Sequence, residues 1–521
     1  MSVAEQTARA PRRERALQNV KARGVGAVLL VAAICGLPVL LFAPFFSEPF
    51  MRDEGFYAAS AAAMLDGQVP YVDFFDNKPP MIFVWYAASF LLFGHEVWAP
   101  RVMVALLTSL SVLLLYFNAR LLFSSHGKAA TAATVFALSI GLPQFGTNAN
   151  TEYFMLLPMT ANLLAYTLAW QTGKRGWYAA AGFAGGVAVL TKTIYGVPMI
   201  FLFFLALWHE RETLGKTSWV KREIWNGPLL LFAGSLVPLA MVAAPLAAAG
   251  GLDDMIEALT YYSYIYSERV ALDLKLTWAS SSPIYLLAIA GPWFVLPVAG
   301  AIILFKNGER QLGWLLGGWM VANWLSIFAA GRFYDHYYVV LFPVFGLLAA
   351  PALSALVKNR NTAFGSAVIM AILPLLLFLP LSMALNAYVH ATPQERHIAK
   401  LGDGELDVQS VKLADWIEEN TGADDSIYNL GFISEIYFYT DRNSPSRFYF
   451  DHAFAADPDY EDEAIAELSA DPPTYVLDSA VYERRTVINY YSVPVHNWVV
   501  ENYDYLGRVE HADVYRLKGA E

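Results

Sequence analysis

Apolar runs of about 18 or more residues recur along the first three quarters of the 521-residue sequence, and they set the fold class. A run of that length is what an α-helix needs to cross the ~30 Å hydrocarbon core of a bilayer. Hydrophobic side chains make up 56% of the chain and charged ones only 16%, which excludes a soluble globular protein. The sequence therefore predicts a polytopic α-helical membrane protein.

Charge divides the chain into two parts. Residues 390–521 hold 26 acidic and 10 basic side chains, whereas the preceding residues hold 20 acidic and 25 basic ones. The contrast predicts a membrane domain over 25–389, with a basic tail over 1–24 before it and an acidic domain over 390–521 after it. The single cysteine, Cys35, excludes an intrachain disulfide and a cysteine metal site. No basic surface with interleaved aromatic residues points to nucleic acid.

Basic side chains between the apolar runs indicate which side of the membrane each loop faces. The tail holds six Lys or Arg against two Glu, so we expect it in the cytoplasm. The run 81–94 is short for a span, and if it does not cross, every later basic cluster falls inside. This places the first loop, 46–97, and the C-terminal domain outside. The eleven predicted spans are near 25–46, 98–123, 129–147, 153–172, 177–191, 195–208, 227–249, 283–305, 312–330, 337–357 and 362–386.

The acidic domain alternates helix-like segments with short runs rich in β-branched and aromatic residues. VKLADWIEEN and EDEAIAELSA are typical of helices, whereas SIYNLGF, ISEIYFYT, RFYFD, PTYVLD and VEHADVYRL are the β-rich runs. The alternation predicts a small α/β domain. It contains no glycine-rich nucleotide fingerprint, no P-loop and no nucleophile elbow.

The first outer loop mixes acidic and aromatic residues densely. In RDEGFYAASAAAMLDGQVPYVDFFDNKPP, Asp53 and Glu54 open a predicted helix, where the helix dipole alone would favour them. Lys78 precedes two prolines, which restrict its backbone to an extended conformation and fix its direction. Tyr57 is one of the interleaved rings. The loop therefore offers carboxylates, an ammonium group and apolar rings at one membrane surface.

Three further segments bring polar groups to the predicted outer face. Glu152 ends the short loop NANTE close to the membrane, where ionisable groups are costly and usually face a cavity, a partner or a substrate. Lys192, in LTKTIYG, either snorkels to the interface or binds a lipid-linked phosphate. GRFYDHYY contains Arg332, His336 and Tyr337. An interfacial aromatic belt accounts for its tyrosines but not for the charged residues among them.

These groups together suit the transfer of a sugar from an isoprenoid phosphate. A carboxylate can accept the proton of an acceptor hydroxyl. Cations can stabilise the charge that develops on the departing lipid phosphate, and aromatic side chains give apolar contacts to a sugar or an isoprenoid. The alternatives are a secondary transporter and a flippase that binds a lipid-linked sugar without chemistry. A transporter predicts internal repeats and a polar site at mid-membrane, whereas the charges here collect in outer loops.

Four segments in this order resemble the type C glycosyltransferases: DEGFYAASAAAMLDGQVPYVDFFDNKPP, NANTEYFMLLP, LTKTIYGVP and GRFYDHYYVVLFP. The resemblance extends over the membrane domain. It points to the group that contains rhizobial lipopolysaccharide-core transferases, lipid A aminoarabinose transferase and protein O-mannosyltransferases. It implies juxtamembrane helices in the first outer loop and a polyprenyl-phosphate sugar donor.

The resemblance also implies roles for individual residues. Asp53 stands at the family's catalytic acid position, Glu54 at that of its acidic neighbour, and Glu152 at a second acidic position that several relatives fill with Asp. Lys78 stands where a lysine approaches the donor phosphate. Some relatives hold a divalent metal between such acids, so a metal at Asp53 and Glu152 remains possible. No other cofactor is indicated. We expect the donor site to be completed by Lys192, Arg332, His336, Tyr57 and Tyr337.

The sequence thus predicts an inverting hexosyl- or pentosyltransferase of the plasma membrane. Its N-terminus would lie in the cytoplasm and its C-terminal domain outside. The expected partners are a polyprenyl-phosphate sugar, membrane lipid, and a glycan, lipid or protein acceptor. A role of the C-terminal domain in recognising the acceptor is a hypothesis that rests only on its predicted position over the outer face.

Overall fold

The computed structural model describes residues 25–142, 148–214, 222–268, 270–390, 392–401, 405–480 and 492–520. The predicted cytoplasmic tail 1–24 lies outside the described residues, as does part of the predicted span 129–147. Within the described ranges, long helices precede a small sheet.

The first part of the chain consists of helices joined mostly by short connections. Its first nine helices are Val25–Phe45 (α1), Arg52–Leu65 (α2), Met81–Phe93 (α3), Ala99–Phe123 (α4), His126–Ser139 (α5), Thr151–Thr172 (α6), Gly176–Thr191 (α7), Gly196–Thr213 (α8) and Asn226–Ala248 (α9). They are followed by Leu252–Glu257 (α10), Ser263–Glu268 (α11), Leu272–Ala290 (α12), Pro292–Lys306 (α13), Arg310–Ala330 (α14), Phe342–Lys358 (α15) and Ala363–His390 (α16). A π-helical turn precedes α11 and a 3-10 segment, Asp335–Leu341, precedes α15.

Seven helices of the described ranges are long and apolar enough to cross a membrane, or eight if one bent pair forms a single span. All seven coincide with predicted spans, which confirms the polytopic helical fold class. The predicted segments that became α5, α6 and α7 are also helical but fall short of that length or apolarity. α3 has 13 residues, as expected for a helix too short to span. The total of eleven spans remains a prediction.

One predicted span is wrong as a single helix. The run 283–305 belongs to two helices, α12 and α13, whose axes differ in direction by 113°. The break falls at Gly291, and the next residue, Pro292, has no backbone N–H to continue the helix and disfavours helical geometry in the residue before it. Hydrophobicity alone therefore predicted the segment but not its bend.

α7 and α9 pack backbone against backbone. A Cβ added to Gly182 would lie 1.9 Å from the Leu231 carbonyl oxygen, and one added to Gly234 would lie 2.2 Å from that of Ala179. Small residues are what permit such close approach between membrane helices. These two glycines therefore fix the spacing of the helix pair that leads to Lys192.

The last part of the chain forms an α/β domain, as predicted. Its four strands are Ile427–Leu430 (β1), Tyr475–Asp478 (β2), Tyr503–Val509 (β3) and Ala512–Leu517 (β4), in the order β1-β2-β4-β3. β1 and β2 are parallel and the other pairs antiparallel. The accompanying helices are Pro393–Leu401 (α17), Glu405–Asn420 (α18), Glu435–Thr440 (α19), Asp459–Ala470 (α20) and Val493–Asn502 (α21).

Two of the β-rich runs form no strand, because they pack against the first outer loop instead. ISEIYFYT contributes α19, and a Cβ on Gly55 of α2 would lie 2.4 Å from the Glu435 Cβ. RFYFD is irregular, and its Phe450 packs edge-to-face on Phe56 of α2 with ring centroids 4.9 Å apart. The aromatic content of these runs thus reflects burial between domains rather than strand formation.

Candidate functional site

The start of α2 presents two consecutive carboxylates in opposite surroundings. Glu54 Oε2 accepts a hydrogen bond from the Met51 backbone N–H (3.1 Å), which satisfies one of the donors that a helix N-terminus leaves unpaired. This bond accompanies complete burial of Glu54. Consecutive helical residues point about 100° apart, and the preceding residue, Asp53, is only half-buried.

Glu54 is neutralised by an arginine from α4. Arg101 donates from Nε to Glu54 Oε1 (3.1 Å) and from Nη2 to Oε2 (2.6 Å), a bidentate geometry. Arg101 also donates to the carbonyls of Glu48 and Pro49, in the segment after α1. Glu54 Oε1 accepts the Ala149 backbone N–H as well (2.5 Å). A carboxylate has about four acceptor sites, so Glu54 has none left for a substrate.

Asp53 has unused oxygens and lies near three basic side chains. Within the described parts of the chain it makes no hydrogen bond or ion pair. Its charge nonetheless acts on Lys78, Lys192 and His336, all of which lie within electrostatic reach. A carboxylate in this position can accept a proton or a hydrogen bond from a bound molecule.

Lys78 is held by the loop between α2 and α3. The Tyr71 hydroxyl donates to the Lys78 carbonyl (2.8 Å), and Lys78 Nζ lies 3.7 Å from Oδ2 of the buried Asp76. Burial raises the pKa of the Asp76 carboxyl. Burial alone would lower the pKa of Lys78, but the carboxylates of Asp76 and Asp53 raise it above its ordinary value. Lys78 therefore stays an ammonium ion while remaining partly exposed.

A second group surrounds Glu152 at the start of α6. Lys192 Nζ forms an ion pair with the buried Glu152 carboxylate and lies 3.7 Å from the ring centroid of Tyr337. His336 Nε2 is 3.9 Å from Glu152 Oε1. The Thr151 hydroxyl donates to Glu152 Oε2 (2.9 Å). This arrangement joins the three segments that contain Glu152, Lys192 and His336, all of which were predicted to face outward.

Arg332 lies against the segment before α12. Its Nη2 donates to the Tyr266 carbonyl (2.9 Å), and its guanidinium carbon is 4.2 Å from the Tyr266 ring centroid. Arg332 Nε is buried and has no hydrogen-bond acceptor among the described residues. Tyr266 in turn lies within electrostatic reach of Lys78. Arg332 therefore keeps one N–H group without an acceptor among the described residues.

Tyr57 forms part of the wall of this site. It is fully buried in α2, and its ring packs edge-to-face on Tyr86 with centroids 5.6 Å apart. Burial raises its pKa, and the carboxylates of Asp53, Asp76 and Glu152 raise it further. The Tyr57 hydroxyl is thus neutral and lies within the influence of these three carboxylates.

The structure brings eight of the nine predicted site residues to one region. The ninth, Glu54, is instead paired with Arg101. Sequence reasoning missed Asp76, Arg101 and Tyr266. Arg101 had a signal, because an arginine inside an apolar span is costly and has a buried partner as a rule. Asp76 had a weaker signal, which is its position two residues before the predicted site residue Lys78. Tyr266 had none in a segment already rich in tyrosine.

The residues described do not form a metal site of their own. No group of three or more His, Cys, Asp or Glu side chains lies close enough together to hold a metal ion within the described ranges. Asp53 and Glu152 are two carboxylates, a number that holds Mg²⁺ only together with water and the phosphate oxygens of a bound substrate. The chemistry derived for this site therefore includes no step through a metal.

Residues 77–237 match the sequence model of a family described as dolichyl-phosphate-mannose-protein mannosyltransferase. The matched part includes Lys78, Glu152 and Lys192. No curated protein matches the chain in sequence.

Solved structures match the fold along almost the whole chain. ArnT from Cupriavidus metallidurans bound to undecaprenyl phosphate is 17% identical, with 94% of this chain and 98% of that chain covered and a TM-score of 0.59. The archaeal oligosaccharyltransferase AglB from Archaeoglobus fulgidus, in complex with an inhibitory peptide and a dolichol-phosphate, is 13% identical, with 95% and 75% covered and a TM-score of 0.52. The resemblance to type C glycosyltransferases is confirmed, and the fold of this chain is theirs.

Proposed function

We propose that this protein is an integral-membrane glycosyltransferase that moves a sugar from a polyprenyl phosphate to the hydroxyl of an extracytoplasmic acceptor. The observation that carries the proposal is the unpaired Asp53 carboxylate among Lys78, Lys192 and His336, beside a Glu54 that is fully paired. The ligands named with the two solved structures, undecaprenyl phosphate and dolichol-phosphate, support this class of donor.

Asp53 is proposed as the general base. In a single displacement its carboxylate accepts the proton of the acceptor hydroxyl while the acceptor oxygen bonds to the sugar anomeric carbon. The bond from that carbon to the phosphate oxygen breaks, and the electron pair leaves with the polyprenyl phosphate. Attack opposite the leaving group inverts the anomeric configuration. Glu54 is proposed to position Asp53 through Arg101 rather than to take part in the chemistry.

The cations are proposed to act on the leaving group. Lys78 is partly exposed and keeps its charge, and Arg332 retains a free Nε donor, so both can contact phosphate oxygens as negative charge develops on them. Lys192 is already paired with Glu152 and would strengthen the orientation of that carboxylate toward the acceptor. His336 and Tyr337 complete this side of the site.

Within the described ranges, the bent pair α12 and α13 and the interruption between α7 and α8 at Lys192 favour a transporter, because broken helices line the substrate sites of such proteins. A transporter or a flippase has no need of an unpaired base beside the donor cations. Removal of the Asp53 charge should therefore stop glycosidic bond formation by a glycosyltransferase, whereas a transporter or a flippase forms no such bond.

The deciding experiment compares Asp53→Asn with Asp66→Asn, an exchange of the same kind at an exposed residue directly after α2. Glycans and polyprenyl-phosphate sugars are measured by mass spectrometry in cells that carry each variant at equal membrane levels. We expect Asp53→Asn to lower product formation by about 10²- to 10⁴-fold, the usual contribution of a general base, with accumulation of the lipid-linked sugar. Normal glycans with Asp53→Asn would remove Asp53 as the base.

A further inference from the structure

Among the contacts between the C-terminal domain and the first outer loop, those of Arg447 lie next to the turn that precedes Lys78. Arg447 lies between α19 and α20, and its side chain is only 9% exposed. Its Nη1 donates to the Tyr71 carbonyl oxygen (3.1 Å), and its own carbonyl accepts the Phe75 backbone N–H (2.9 Å). The guanidinium also stacks over the Phe75 ring, 4.8 Å from the centroid. The two residues that it holds flank the turn that leads to Asp76 and Lys78.

Tyr71 links Arg447 to Lys78. Its backbone has a positive φ of 72°, a conformation that side chains other than glycine, asparagine and aspartate rarely adopt. Its hydroxyl donates to the Lys78 carbonyl (2.8 Å), and its ring is fully buried. Arg447 is therefore hydrogen-bonded to the Tyr71 backbone, and the Tyr71 side chain is hydrogen-bonded to the Lys78 backbone.

Arg447 also holds a second outer segment. Its Nη1 donates to Asp254 Oδ1 in α10 (2.8 Å), and Glu463 Oε1 of α20 lies 2.8 Å from its Nε. Phe75 stacks on Tyr262, in the turn after α10, with ring centroids 5.7 Å apart. This second segment continues to Tyr266, the residue against which Arg332 packs. The Arg447 guanidinium thus contacts two segments. One contains Lys78, and the other leads to Tyr266, on which Arg332 packs.

We propose that Arg447 is a positioning residue for donor binding, by which the C-terminal domain holds Lys78 in place to receive the polyprenyl phosphate. The inference rests on the proposed function. It assigns the C-terminal domain a role in donor binding, whereas the sequence predicted a role in recognising the acceptor. Without Arg447, the turn at Tyr71 keeps its internal hydrogen bond from the Tyr71 N–H to the Phe74 carbonyl (2.7 Å) but loses a charge-assisted one, so Lys78 is held less firmly for the donor.

The chain offers a matched control. Arg442 is also a nearly buried arginine of the same domain, but it donates to the Asp425 and Gly422 carbonyls within that domain and to none in the first outer loop. Arg442→Met therefore perturbs the domain without touching the loop. Tyr71→Phe does the reverse, because it removes only the hydroxyl that contacts Lys78.

The test measures binding of undecaprenyl phosphate to the full-length protein in lipid nanodiscs, with Lys78→Met as the reference. We expect Arg447→Met to weaken binding about tenfold, in line with loss of a hydrogen bond to a charged group. Arg447→Lys should restore part of the affinity, since an ammonium group can still reach one of the acceptors. Arg442→Met should bind as the wild type does. In turnover, the donor KM should rise while the acceptor KM does not.

A double-mutant cycle separates positioning from general stability. If Arg447 acts through Tyr71, the combined Arg447→Met and Tyr71→Phe variant should bind little more weakly than either single variant. Wild-type affinity in the Arg447 variants, or an equal loss with Arg442→Met, overturns the inference while Lys78→Met still weakens binding. Unchanged binding with Lys78→Met overturns the proposed donor site itself.

Discussion

The segment from Glu54 to Lys78 of the first outer loop has a carboxylate–cation pair at each end, and the two pairs are built differently. At its start, Glu54 and Arg101 are completely buried and form two hydrogen bonds, and Glu54 also accepts the backbone N–H groups of Met51 and Ala149. At its end, Asp76 and Lys78 are 3.7 Å apart and the lysine side chain is 27% exposed. The fully paired Glu54 and Arg101 stabilise the fold, whereas the partly exposed Lys78 remains available to a ligand.

The largest effect should follow from breaking the closed pair. Arg101→Met leaves the Glu54 carboxylate buried without its partner, which costs about 3–5 kcal/mol of folding free energy. Thermal unfolding in detergent should show a strongly lowered midpoint and a reduced yield of folded protein. The double variant Glu54→Gln with Arg101→Met should recover part of that stability. A normal midpoint with Arg101→Met would contradict the structural role of the pair.

A smaller and different effect should follow from opening the exposed pair. Lys78→Met should lower the unfolding midpoint by less than Arg101→Met does, because Lys78 is partly exposed and the buried Asp76 carboxylate still accepts the Asn77 backbone N–H (2.6 Å). Binding of a polyprenyl phosphate should nevertheless weaken at least tenfold, as expected for a lost charge-assisted bond of about 1.5–3 kcal/mol. If Lys78→Met instead destabilised the fold as much as Arg101→Met, the distinction between the two pairs would fail.

The smallest effect concerns Glu435, a third buried carboxylate beside α2 that has no arginine in bidentate contact. Burial, together with the neighbouring Asp407, raises the pKa of Glu435 to about 8. A raised carboxyl pKa favours the folded state while the group is protonated, so this contribution declines as pH rises from the ordinary Glu range through 8. Glu435→Gln should therefore raise the unfolding temperature by a few degrees at pH 8 and by less at pH 5. An equal shift at both pH values would exclude titration of Glu435 as the cause.

The sequence predicted the helical fold class, the α/β domain and most residues of the candidate site, because span-length apolar runs and charged loop residues are local signals. It did not distinguish Asp53 from Glu54. That distinction depends on Arg101, which lies 47 residues further along the chain than Glu54 and approaches it only after α2 and α4 have packed. The bend at Gly291 and the helix formed by ISEIYFYT were missed for a related reason. Apolar or aromatic composition indicates burial but does not specify what a segment packs against.

The contact between Tyr71 and Arg447 has a consequence for the order in which the protein is made. The two residues are 376 positions apart, so the loop leaves the ribosome roughly 20–75 s before its arginine at ordinary rates of translation. During that interval α2, α3 and their membrane neighbours can assemble, but the turn before Lys78 has only the hydrogen bonds within the loop, such as that from the Tyr71 N–H to the Phe74 carbonyl. Competence to bind the donor would then arise only when the last domain has folded, so that an incomplete chain does not draw on the cell's supply of lipid-linked sugar.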